Sequence, residues 1–119
     1  METADAVGAL GALAQESRLK VFRLLVQAGR DGMAAGDIAE RLGIASPTLS
    51  FHLAHLRQAG LLTMRREGRS LIYSADYDGM NALMAFLTEN CCGGAEVCAV
   101  PVCGPAKPTL TRRKRLVRR

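Results

Sequence analysis

Between Gly43 and Pro47 the chain has three residues, Ile44, Ala45 and Ser46, in which to end one helix and begin the next. The segment AAGDIAERLG (34–43) places Ile38 and Leu42 at i, i+4 and closes on Gly43, as a short helix does. Ser46 then reads as an N-cap. Pro47 takes the first helical position, where its missing N–H costs nothing. The second helix runs through TLSFHLAHLRQAG with Leu49, Leu53 and Leu56 as its buried stripe, and Gly60 stops it. Two helices on so short a leash have to turn sharply against each other, as in a helix-turn-helix.

The flanking segments extend this unit. Residues 4–13 read as a first helix with Val7, Leu10 and Leu13 at helical spacing, and its Gly/Ala surface suits close helix approach. Ser17 precedes a second helix, LKVFRLLVQA, with Leu19, Phe22, Leu25 and Val26 on one face and Gly29 as its C-cap. RDGM (30–33) reads as a turn. LLTMRR and RSLIYSA (61–75) are β-prone runs about Glu67-Gly68, which predicts a hairpin with a basic tip. Asp76 or Asp78 caps a last helix over about 77–90, with the stripe Met80, Leu83, Met84, Leu87 and with Phe86 beside it. The fold expected is mainly α with one β-hairpin, in the order α-α-α-α-β-β-α: a winged helix-turn-helix. Residues 1–90 are expected to form its DNA-binding domain, 91–106 a Cys-rich segment and 107–119 a basic, disordered tail.

Composition narrows the function. The chain has 119 residues, 49% hydrophobic but only 4% aromatic with no Trp, so the core is aliphatic. No apolar stretch approaches the ~18 residues needed to span a bilayer, and Glu2 and Asp5 stand where a secretion signal would carry basic residues. A cytoplasmic protein with no membrane partner is expected. The net charge of +5 is misleading, because seven basic residues and no acid fall in 107–119. The rest of the chain carries nine basic and eleven acidic residues, so DNA binding has to be read from local pattern. The tail reads equally as a source of nonspecific phosphate attraction and as a solvated extension. No Gly-rich phosphate loop, paired carboxylates or nucleophile–base spacing points to an enzyme or a catalytic cofactor.

The first two turns of the second motif helix carry Ser46, Pro47, Thr48, Ser50, Phe51 and His52, the positions that face double-stranded operator DNA in such a motif. At 100° per residue Phe51 lies opposite the Leu49–Leu53–Leu56 stripe. An outward aromatic there suits a thymine methyl or a sugar. A plain surface aromatic, or one covered by a neighbouring chain, remains the alternative. His52 lies near the core stripe and suits a structural hydrogen bond. His55 and Arg57, later on the helix, read as solvated or near phosphates. Arg65, Arg66 and Arg69 fit a wing gripping the DNA backbone or a minor groove, the alternative being a solvated turn.

The run SPTLSFHLAHLRQAGLL followed by MRREGRSLIYS resembles the ArsR/SmtB family of metalloregulatory repressors, and SRLKVFRLL resembles that family's second helix. The likeness covers about residues 6–90. It implies a homodimer paired through the first and last helices, for which Val7, Leu10, Met80, Leu83, Met84 and Leu87 are the candidates. Two family metal sites are missing: GDIAERLG has no Cys, and the last helix has no His.

What remains is Cys91-Cys92-x5-Cys98-x4-Cys103. Adjacent cysteines converge where a helix ends, and Gly93-Gly94 lets the chain return to deliver Cys98. Three soft thiolates suit As(III), Sb(III), Cu(I), Cd or Zn. Two such thiols also suit a redox disulfide, and a loose tail of unconstrained thiols remains the simplest alternative. The CC-x5-C pattern is similar to the arsenite site of a subgroup of these repressors. That resemblance implies Cys91, Cys92 and Cys98 as ligands of an As(III) or Sb(III) inducer, with Cys103 as a spare, a replacement or a bystander.

Overall fold

The computed structural model describes residues 1–94. Residues 1–89 form one compact unit, and a second begins at Asn90. The first unit holds α1 (Thr3–Leu13), α2 (Glu16–Ala28), β1 (Met33–Ala34), α3 (Ala35–Leu42), α4 (Ser46–Gln58), β2 (Leu62–Glu67), β3 (Ser70–Ala75) and α5 (Tyr77–Leu87). This is a winged helix-turn-helix.

The core lies where α2, α3 and α4 meet the sheet, around Val21, Leu25, Ile38, Leu49, Leu53, Leu56 and Leu61. α1 joins it through Ala6, Ala9 and Ala12, all essentially inaccessible. Their small side chains let the helix backbone lie close against its neighbours, so the larger Val7 and Leu10 are left outside. On α2 the buried set is Val21, Phe22 and Leu25, while the expected Leu19 is exposed. The helix also begins before Ser17, because the Gln15 side chain caps it by accepting from the Arg18 N–H at 2.9 Å.

Two further expectations shift. Ser46 is not the cap of α4: Ala45 holds the extended N-cap conformation, and Ser46 is the first helical residue. RDGM is not wholly a turn, because Met33 and Ala34 form β1 and pair with Tyr73 and Ile72 of β3. The sheet is therefore three-stranded and antiparallel, in the order β1-β3-β2. In the hairpin Glu67 pairs with Ser70, so the two-residue turn is Gly68-Arg69 rather than Glu67-Gly68. Gly68 takes φ +62° and Arg69 keeps a negative φ, the arrangement of a type II′ turn with Gly at its first central position.

α4 ends in a Schellman motif. The Leu61 N–H donates to the Leu56 carbonyl at 3.0 Å and the Gly60 N–H to Arg57 at 3.0 Å, with Gly60 at φ +82°. The start of α5 docks on this end. The Asp76 N–H donates to the Leu61 carbonyl at 2.9 Å, and the Asp76 carboxylate caps α5 by accepting from the Gly79 N–H at 3.0 Å. A Cβ at Gly79 would run into the Gly60 carbonyl oxygen, so the contact requires glycine. Tyr77 fixes α5 to α2 by donating to the Val26 carbonyl at 2.9 Å, with the Arg30 guanidinium 5.2 Å from its ring centre.

Candidate nucleic-acid interface

α4 divides cleanly into two sides. Leu49, His52, Leu53 and Leu56 are buried. Ser46, Pro47, Thr48, Ser50 and Phe51 are exposed, and so are Ala54, His55, Arg57 and Gln58. The hydroxyls of Ser46, Thr48 and Ser50 have no hydrogen-bond partner among the described residues. The first turn carries no acid, so the positive end of the helix dipole and its open N–H groups are available to an anion such as a DNA phosphate.

Phe51 is 66% exposed, the most exposed large apolar side chain among the described residues. Its ring meets the His52 and His55 rings edge to face, with centroids 5.9 and 6.2 Å apart. Ala54, His55 and Gln58 line a shallow depression beside it. These three follow Phe51 at i+3, i+4 and i+7, and that spacing was the signal by which they could have been picked from the sequence.

His52 departs from the DNA-binding set. It is only 8% exposed and turns inward, where its Nδ1 lies 3.4 Å from Arg18 Nη1. Burial lowers its pKa below the ordinary histidine value, and the charges of Arg18 and His55 act in the same direction. With the ring neutral, Nδ1 accepts from the guanidinium and the proton sits on Nε2.

The wing does not gather its three arginines. Arg65 and Arg66 are consecutive on β2 and so point to opposite faces. The Arg65 Nε pairs with the Glu67 carboxylate at 2.7 Å and its Nη2 donates to the Asp31 carbonyl at 2.9 Å. Its donors are directed into its own chain. Arg66 and Arg69 are exposed and without a partner among the described residues, and Arg69 sits in the turn itself.

Of the expected pairing residues, Val7, Leu10 and Leu87 are exposed, at 62%, 42% and 54%. Met80 and Met84 are half-buried. Leu83 is 5% exposed and belongs to the core of its own chain, so it is withdrawn from the pairing surface. Cys91 and Cys92 lie in a short 3₁₀ turn, Cys91–Gly94, with left-handed backbone at Asn90, Cys92 and Gly93. Cys92 is disulfide-bonded. Cys98, Cys103 and the basic tail lie outside the described residues. Among the described residues no three His, Cys, Asp or Glu side chains form a group suited to a metal ion, and no helix is long and apolar enough to cross a membrane.

A helix-turn-helix with an exposed second helix and a hairpin beside it defines a winged-helix DNA-binding protein. Residues 13–65 match a family described as a helix-turn-helix domain. The Vibrio cholerae transcriptional activator HlyU is 31% identical over 76% of this chain and 81% of its own sequence. Its solved structure superposes with a TM-score of 0.61 at 32% identity, covering 77% of this chain and 99% of that one. The homodimeric winged helix-turn-helix domain of Mb0332 from Mycobacterium bovis, described as a possible ArsR-family regulator, gives a TM-score of 0.60 at 28% identity over 71% of this chain and 77% of that one. A Halobacterium salinarum protein that carries the name of the arsenical resistance operon repressor ArsR is 34% identical over 66% of this chain and 60% of its own length. The chain belongs to the ArsR/SmtB family of winged-helix transcriptional regulators.

Proposed function

We propose that this protein is a homodimeric repressor whose grip on operator DNA is released when trivalent arsenic or antimony binds thiolates of Cys91, Cys92 and Cys98. The observation that carries the inducer is the cysteine cluster: four cysteines, all within residues 91–103. With Cys92 reduced to the thiol, arsenous acid exchanges its three hydroxyls for three cysteine sulfurs, and each hydroxyl leaves as water with one thiol proton, with no change of oxidation state at arsenic. The relative named for arsenical resistance supports the reading. For the dimer the support is Val7, Leu10 and Leu87, apolar and exposed on α1 and α5, together with the homodimeric state of the M. bovis domain. Ser46, Thr48, Ser50, Phe51, Arg66 and Arg69 would meet the DNA, and two heads in a dimer would meet a palindrome.

The test uses a duplex selected from a random-sequence library by the full-length protein under reducing conditions. Arsenite should weaken binding by roughly 5–150-fold, the usual range for coupled sites. The Cys91→Ser, Cys92→Ser double variant should hold the same duplex and ignore arsenite. Equal release from that variant sinks the site. A second reading rests on the disulfide at Cys92: a thiol redox switch would release DNA with peroxide and no metalloid.

A further inference from the structure

Arg18 makes contacts in two directions. Its Nε donates to the carbonyl of Ala12, in the last turn of α1, at 2.6 Å. Its Nη1 lies 3.4 Å from Nδ1 of His52, 34 positions away in α4. The backbone N–H of the same residue is held by Gln15, which fixes the base of the side chain at the start of α2. One guanidinium therefore connects α1, whose Val7 and Leu10 are turned outward, to the helix that carries Phe51. Arginine suits the task because its planar fork directs donors along separate lines, whereas a lysine has a single ammonium centre.

We propose that Arg18 is a positioning residue for DNA reading, tying the end of α1 to the recognition helix through neutral His52, and that protonation of His52 releases the tie. The proposal rests on the reading that α4 meets DNA. His52 immediately follows Phe51 and meets its ring edge to face, so the ring that accepts from Arg18 also packs on the outward aromatic. A protonated His52 has no lone pair for the guanidinium and sets two cations side by side in a partly buried place. α1, α2, α3 and β2 pack against α4. The charged groups that act on His52 are Arg18 of α2 and His55 of its own helix, while α1 contributes the Ala12 carbonyl through Arg18. Burial of the ring and the positive charges of Arg18 and His55 disfavour the imidazolium, so the tie is intact at neutral pH and breaks on acidification below the ordinary histidine range. A recognition helix held less firmly against α1 has more orientations to lose on docking, and affinity falls.

Two variants test this with the selected duplex. His52→Asn places an amide oxygen close to the Nδ1 position and does not titrate. Its dissociation constant should match the wild type at about pH 8, and the wild type should become the weaker of the two as the pH falls below the ordinary histidine range, by ~5-fold at about pH 5. Arg18→Met keeps the aliphatic stem and removes both bonds. It should bind about 5- to 10-fold more weakly than wild type at about pH 8, with an acid response as shallow as that of His52→Asn. A wild-type to His52→Asn ratio that stays flat with pH overturns the proposal, even if Arg18→Met binds poorly through lost stability. If the wild type enriches no sequence at all, the DNA reading falls and the tie's proposed role falls with it.

Discussion

Phe51 and His52 are neighbours in sequence and opposites in environment, one 66% exposed and the other 8%. The helical angle between them is about 100°, enough to carry one ring from the solvent side of α4 to its core side. The consequence for Phe51 is testable. Removing its ring should barely touch stability, because surface substitutions stay within about 0.5 kcal/mol. A Phe51→Ala variant should nevertheless lose about 1–3 kcal/mol of operator binding, the scale of one good base contact. Urea titration and gel shift on the same preparation separate the two, and an unchanged affinity would leave Phe51 as a plain surface aromatic. Its outward direction was legible from the Leu49–Leu53–Leu56 stripe alone. The partner of His52 was not, because no local pattern links positions 18 and 52.

At the scale of elements, helix ends matter more than helix middles. The end of α4 and the start of α5 share one small contact, in which the Gly60 carbonyl lies against Gly79 and Asp76 bridges by two hydrogen bonds. A methyl at Gly79 must push α5 away from α4. Gly79→Ala should therefore destabilise by about 1–3 kcal/mol as overpacking does, although alanine is the better helix former. Chemical denaturation checks this, and a gain in stability would show that the docking can shift at no cost. The Gly60 stop and the Asp76 cap were readable in the sequence, because each is a local backbone requirement. Their contact was not, nor was β1, which at two residues has no periodicity to detect and exists because β3 offers it an edge.

At the scale of the molecule, α1 presents two apolar faces and the chain uses one. Ala6, Ala9 and Ala12 are spent on its own core, which leaves Val7 and Leu10 exposed. If that outer face pairs with a second copy, a charge placed in it would be buried without a partner. Leu10→Glu should then convert a dimer to a monomer in sedimentation or light scattering, with the helical signal retained. A variant that stays dimeric would move the interface elsewhere.

The sequence by itself determined the order of the helices, the tight turn at Gly43–Pro47, the hairpin and the outward side of α4. Each of these is written in spacings of a few residues, where backbone geometry leaves little choice. Only the tertiary structure decided which apolar face of α1 is buried, that Leu83 is core, that Arg65 pairs with Glu67 and the Asp31 carbonyl, and that Arg18 reaches His52. Those outcomes depend on which surfaces approach closely enough to exclude larger side chains, and on which donors find acceptors across the fold. The tight helix-turn-helix thus specifies a DNA-reading head from sequence alone, while the position of that head is set by contacts between residues far apart in the chain.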